Sequence, residues 1–306
     1  MKSRYATSLA GLAFCLVASP VPAATEGTLE VEQGVLLFYR IAGEGTQTVI
    51  VPDAGYLAPD LEPLARGRRL IFYDLRGRGR SGPIKELSRI GVDRDLDDLE
   101  AIRRHFALER ISLIGHSYMG ALIVLYARRH RERVDRLLLI DPMELRRDPY
   151  AARQSPADKG VNQVALRKLR RMRRAGLNTK APVAYCRQWD RAYLGHYVAA
   201  ASALARIRTP CELPNEWPDK LDGYFAARQE SFGNWDWRPA AAHVQSSTLV
   251  AWGTEDFIAA GSSREWVAAL PDAHLLVIPR AGHMSHAERP DLFLPAAERF
   301  LRSGGW

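Results

Sequence analysis

The chain has 306 residues, 47% hydrophobic and 25% charged, with a formal net charge of +8. That balance belongs to an ordinary globular protein, long enough for one large core or a core plus a smaller domain, and it excludes disorder throughout. The basic excess raises nucleic acid as a partner, but no recognised binding module accompanies it, and weak attraction to anionic surfaces is the better use of the charge.

Taken in chain order, residues 1–23 stand apart. Lys2 and Arg4 precede an apolar stretch at 9–18, and Val21-Pro22-Ala23 supplies the small residues of a cleavage site. This pattern predicts a signal peptide, its apolar run being shorter than the ~20 residues that cross a bilayer. Cleavage removes Lys2, Arg4 and Cys15, which takes the formal charge from +8 to +6. The mature chain is then expected in the periplasm or outside the cell, where a disulfide can persist. Cys186 and Cys211 allow one pairing, and whether it forms depends on a Cα separation that sequence leaves open.

Short apolar or β-branched runs follow at 36–41, 48–51, 70–73, 111–114, 137–140, 248–252 and 275–278. Several are apolar throughout, as parallel strands buried on both faces are. Between them Leu96, Leu99, Ile102 and Phe106 lie at helical spacing, and 121–129 reads as another helix ending in basic residues. Strands alternating with helices predict a doubly wound α/β sheet.

From 143 to 239 the strand rhythm stops, and the segment reads as an inserted helical cap, leaving 24–142 and 240–306 as the core. Its arginine-rich helix at 166–174 has an apolar edge of Val161, Ala165, Leu169 and Met172. Trp189, Tyr193, Trp217 and Trp235 either pack as helix core or line an apolar substrate pocket.

The most informative run is Ile111-Ser112-Leu113-Ile114-Gly115-His116-Ser117-Tyr118-Met119-Gly120. A buried strand ends at Gly115, a helix begins near Tyr118, and Ser117 sits on the turn between them, a nucleophile elbow. Such a turn lifts the hydroxyl above the sheet and leaves the Tyr118 N–H free to hold an oxyanion. Serine at neutral pH needs a base, and the base needs a partner that orients it. His283 follows the last strand, and Asp256 follows the strand before it, which places all three groups at one sheet edge.

With these motifs the chain resembles the α/β-hydrolase superfamily, particularly capped members related to proline iminopeptidases and small esterases. The run Tyr73-Asp74-Leu75-Arg76-Gly77-Arg78-Gly79-Arg80-Ser81 is similar to a structural turn of that family, and the order Ser, Asp, His is also the family's. The resemblance implies a doubly wound, mostly parallel sheet with a helical cap inserted after the sixth strand. Two positions depart from the family. Met119 stands where a small residue is usual, and Pro52-Asp53 stands where His-Gly is usual. The second oxyanion donor is therefore expected to be the backbone N–H of Ala54 or Gly55. Asp141 is a competing acid, His286 is expected on a pocket wall or the surface, and His116 beneath the elbow. None of these histidines has metal-ligand spacing, so no metal is expected.

The expected function is hydrolysis of a small-molecule ester or amide through an acyl-enzyme, without a cofactor. The rival activity is an aminopeptidase, in which Glu212, Glu216 or Glu230 of the cap would pair with a substrate amine. Its family members usually carry Gly-Gly-Ser-Trp-Gly at the elbow, which this chain lacks. A third reading is a noncatalytic binding protein that kept the fold.

Overall fold

A single eight-stranded sheet organises the chain. Its strands are β1 (Thr25–Glu32), β2 (Val35–Ala42), β3 (Thr48–Pro52), β4 (Arg69–Tyr73), β5 (Ile111–His116), β6 (Val134–Ile140), β7 (Ser247–Gly253) and β8 (Ala273–Ile278). The computed structural model describes residues 25–150, 161–207 and 209–303, so the expected signal peptide lies outside the described residues. Spatial order is β1-β2-β4-β3-β5-β6-β7-β8. β2 runs antiparallel to β1 and β4, and from β4 to β8 every pairing is parallel.

Residues alternate between two apolar layers with the period of a strand. Ile50, Ile71, Leu139 and Val250 enter one layer, where Leu99 and Ile102 of α2 (Val92–His105), Leu122 and Tyr126 of α3 (Tyr118–Arg129) and Trp266 pack. Val49, Val51, Leu70, Leu138 and Leu249 enter the other, against Leu57 and Leu61 of α1 (Ala54–Leu61) and residues near the C-terminus. Both faces are thus covered, which explains the uninterrupted apolar runs. Each such leucine or isoleucine contributes roughly 1.5–3 kcal/mol.

The cap occupies the stretch between β6 and β7, after the sixth strand. It holds α4 (Gln163–Arg174), α5 (Leu177–Lys180), α6 (Pro182–Tyr193), α7 (Pro218–Phe232) and α8 (Arg238–Ala241). Asn162 caps α4 by accepting from the Val164 and Ala165 N–H groups at 3.1 and 3.0 Å. The helix buries Leu166 and Leu169 against Tyr185 and Ala192, with Val161, Ala165 and Met172 alongside, while its arginines face outward. Cys186 of α6 and Cys211 form a disulfide with Cα atoms 5.7 Å apart. The core resumes with α9 (Ala260–Ala269), α10 (Ser285–Glu288) and α11 (Pro290–Ser303), whose Phe293 and Phe300 close the second layer.

From β3 the chain turns to β4 on one side and then crosses to β5 on the other. The crevice beyond the carboxyl ends of β3 and β5 is therefore the switch point at which doubly wound sheets place their ligands.

Candidate active site

Ser117 sits at that crevice between β5 and α3 with φ 54° and ψ −119°, a strained conformation for a residue with a Cβ. Its N–H donates to the Ile140 carbonyl at 2.9 Å, and its carbonyl accepts from Gly120 and Met143 at 3.0 and 3.2 Å. Side-chain space is the second constraint. A Cβ at Gly115 would lie 2.2 Å from the Met119 carbonyl oxygen, so only glycine fits there. Gly120 approaches Pro142, and Met119 turns into the core. The residue that departs from the family pattern is thus absorbed as packing, while the glycine next to it supplies the close contact.

His283 lies on the loop between β8 and α10, fully buried. Its Nδ1 is 3.0 and 3.2 Å from the two carboxylate oxygens of Asp256, beyond the end of β7. Nδ1 being committed, Nε2 is the ring atom left to handle a proton. The backbone of His283 is tied to the elbow, because its carbonyl oxygen is 2.7 Å from His116 Nε2. Burial pushes the His283 imidazole down to about 4, so the ring is neutral at neutral pH. Burial pushes the Asp256 carboxyl up, opposed by the N–H groups of Ile258 and Phe257. Tyr197 and Phe257 face the His283 ring at 5.7 and 4.5 Å between centroids.

Asp141 serves another purpose. Its Oδ2 accepts from the Ser285 N–H and hydroxyl at 3.0 and 2.6 Å, and Oδ1 from the Gly253 N–H at 2.8 Å. It fastens the loops that carry His283 and Asp256. His286 is fully buried rather than at the surface, packed near His116 and Phe293, and neither ring nitrogen makes a hydrogen bond. His116, Asp141 and His286 lie close enough to be tested as metal ligands. The His283 carbonyl and the Ser285 and Gly253 donors already occupy His116 and Asp141, which fits hydrogen-bonded supports.

The oxyanion loop differs from expectation at one residue. Gly55 N–H donates to Asp74 Oδ1 at 2.9 Å, which removes it as the free donor. Ala54 is the first residue of α1, where a backbone N–H has no partner within the helix, and Tyr118 holds the same position in α3. The turn after β4 thereby sets which donor remains.

The cap brings charge to this crevice, a feature that motif reading did not find. Arg78 makes a paired bond to Glu216 at 2.8 Å through each nitrogen, and Glu216 also accepts from the Gly79 N–H. Arg228 of α7 pairs with Asp95 at 3.0 Å and with the Tyr224 hydroxyl, and lies over the Tyr118 ring, 4.6 Å from its centroid. Tyr118 donates to the same Asp95 at 2.8 Å. Of the carboxylates that the rival aminopeptidase reading would use, Glu216 is held by Arg78, Glu212 pairs with Arg187 in the open, and Glu230 is exposed.

Nor do the expected pocket aromatics surround the histidine. Trp189 and Tyr193 pack on the cap's own core, Trp217 donates to the Cys211 carbonyl at 3.0 Å, and Trp235 donates to Glu144 at 3.1 Å beside Trp237. For Trp217 and Trp235 the indole N–H groups explain this, because a partly buried tryptophan goes where a carbonyl can receive it.

The profile of the family described as the alpha/beta hydrolase fold matches residues 52–290. A 2-hydroxy-6-oxononadienedioate/2-hydroxy-6-oxononatrienedioate hydrolase of Comamonas testosteroni is 24% identical over 273 residues, covering 86% of this chain and 90% of its own. A proline iminopeptidase of Saccharolobus solfataricus is 34% identical over 100 residues, or 31% of this chain and 32% of its own. Among solved structures, an enol-lactonase of Burkholderia xenovorans superposes with a TM-score of 0.64 at 24% identity, covering 92% of this chain and 99% of that one. The chain belongs to the α/β-hydrolase fold family.

Proposed function

We propose that the chain is an exported serine hydrolase that cleaves a small-molecule ester or amide through an acyl-enzyme on Ser117. One observation carries the reading. His283 pairs with Asp256 through Nδ1 while its own carbonyl is bonded to His116, the neighbour of Ser117. In the first half-reaction Ser117 Oγ attacks the substrate carbonyl carbon, and His283 Nε2 takes the hydroxyl proton and returns it to the leaving group. Water then attacks the acyl-enzyme by the same route, releasing the acid and free Ser117. The N–H groups of Tyr118 and Ala54 face the developing oxyanion.

Export is supported by the Cys186–Cys211 disulfide, which is at home in an oxidising compartment. An acyl group rather than an amine as the recognised end is supported by Tyr197 and Phe257 beside His283 and by the pairing of Glu216. The test is labelling of Ser117 by a fluorophosphonate, followed by nitrophenyl esters of increasing chain length against aminoacyl nitroanilides. Ester specificity should rise with chain length until the pocket is full, at roughly 0.8 kcal/mol per buried CH₂. Absence of labelling would favour a noncatalytic protein, and faster turnover of the nitroanilides would favour an aminopeptidase.

A further inference from the structure

Asp53 ends the loop from β3 and directly precedes α1, with φ 76° and ψ 62°. Glycine takes this left-handed conformation without strain, whereas aspartate takes it at a cost. An aspartate before a helix usually offsets such a cost by accepting N–H groups of the first turn. Asp53 makes no such bond. The residue is half-buried, and burial desolvates its carboxyl.

Charged and phenolic groups of several elements act on this carboxyl. Asp74 and Arg78 approach from the turn after β4, Glu216 from the cap, Tyr224 and Arg228 from α7, and Tyr56 from α1. The charged ones have partners already. Arg78 holds Glu216, Asp74 holds the Gly55 and Arg80 N–H groups, and Arg228 holds Asp95. Arg228, whose charge acts on Asp53, also lies over the ring of Tyr118, the residue after Ser117. In chain terms Asp53 is bonded directly to the Ala54 nitrogen, the donor left after Asp74 takes Gly55.

We propose that Asp53 is a further catalytic residue of this site, which as a carboxylic acid donates a hydrogen bond to the substrate carbonyl oxygen and to the oxyanion it becomes. The inference rests on the acyl-enzyme reading above. Asp53 keeps its proton through both half-reactions, so the balance of the chemistry is unchanged. An ionised carboxylate beside the oxyanion would repel it, while the acid supplies the donor that Gly55 cannot. Burial pushes this carboxyl up to about 7, Glu216 and Asp74 adding to the rise and Arg78 and Arg228 opposing it. The acid form is therefore present below neutrality and lost as pH rises.

The test is kcat for a nitrophenyl ester from pH 5 to 9, with wild type, Asp53→Asn and Asp53→Gly. Wild-type kcat should fall above neutrality, approaching tenfold for each pH unit once the acid form is the minority. Asp53→Asn, whose amide donates without titrating, should lose that fall and run below wild type at pH 6. Asp53→Gly removes the donor and should lose about 10²–10³-fold at pH 6. Its melting temperature should rise, because glycine relaxes the left-handed turn and removes a carboxyl without a partner. An Asp53→Asn profile that keeps the wild-type fall, or an Asp53→Gly variant with full rate at pH 6, overturns the proposal. So does a loss in Asp53→Asn confined to aminoacyl substrates, which would make Asp53 an acceptor. Fluorophosphonate labelling of wild type separates the two readings. With labelling intact, an unaltered profile defeats the Asp53 role alone, and without labelling the acyl-enzyme fails and takes this role with it.

Discussion

The two walls of the crevice are built on opposite electrostatic terms. On the β7–β8 side, His283 meets Phe257, Tyr197 and His116, and burial holds all three histidines of that wall, His286 included, below their usual range. On the β3–β4 side, two buried arginines and several carboxylates interlock with the cap. A base needs to stay neutral until it takes a proton, which an apolar wall ensures. A developing oxyanion needs fixed dipoles and donors, which a polar wall provides. Burial is the largest influence on both walls; on the first it holds the histidines down, and on the second the paired arginines oppose its effect on the carboxylates.

The largest effects should come from breaking the neutral wall. Ser117→Ala and His283→Ala are each expected to lower kcat by about 10⁴-fold or more, with little further loss in the double variant. Asp256→Asn should cost about 10⁴-fold in kcat with the melting temperature nearly kept. Asp141→Asn should show the reverse ranking, because its acceptors hold Gly253 and Ser285 rather than the ring. If Asp141→Asn loses more turnover and less stability than Asp256→Asn, the roles of the two acids are exchanged.

Next in size is the polar wall. Glu216→Gln leaves Arg78 buried without its charge partner and should lower unfolding free energy by about 3–5 kcal/mol in denaturant titration. Opening the disulfide through Cys186→Ser with Cys211→Ser should cost about 3 kcal/mol. Combined with Glu216→Gln it should cost less than the sum, since Cys186 Sγ lies 3.9 Å from the Glu216 carbonyl oxygen and the sites are coupled. Strict additivity would show that cap and polar wall are independent.

The smallest effect concerns His286. Burial holds its folded pKa well below 6.5, so below that pH the unfolded chain binds a proton that the folded chain refuses. Its contribution is thus present above 6.5 and lost as pH falls. The buried acids Asp141 and Asp53, both pushed up to about 7, act in the opposite sense, so the total curve hides it. The difference between His286→Phe and wild type isolates it. That variant should gain on wild type by up to about 1.4 kcal/mol for each pH unit below 6.5. A difference that does not change with pH would mean that His286 is accessible to protons in the folded state.

What could be read from sequence was whatever is local. Seven strands, the helices α2 and α3 and the amphipathic α4 announce themselves by periodicity, and Ser117, Asp256 and His283 each follow a recognisable run. β1 escaped because Thr25–Glu32 carries three glutamates on an edge strand, so its apolar content is too low to stand out. The ionic wall escaped for a different reason. Arg78 with Glu216, and Asp95 with Arg228, are separated by more than a hundred residues, and no local pattern announces such a pair. Trp235 and Gly55 found partners 91 and 19 residues away, which no local pattern announces either. One signal was available: an aspartate where glycine is usual marked position 53 as a place where strain is tolerated for a reason.

The disulfide has a consequence beyond the energy it contributes. It meets the cap beside Glu216, the residue whose carboxylate grips the turn after β4. Covalent and electrostatic fastening therefore form one joint rather than two. A reductant that opens the bridge is therefore expected to loosen the backbone behind that carboxylate, and with it the cap's hold on the turn after β4.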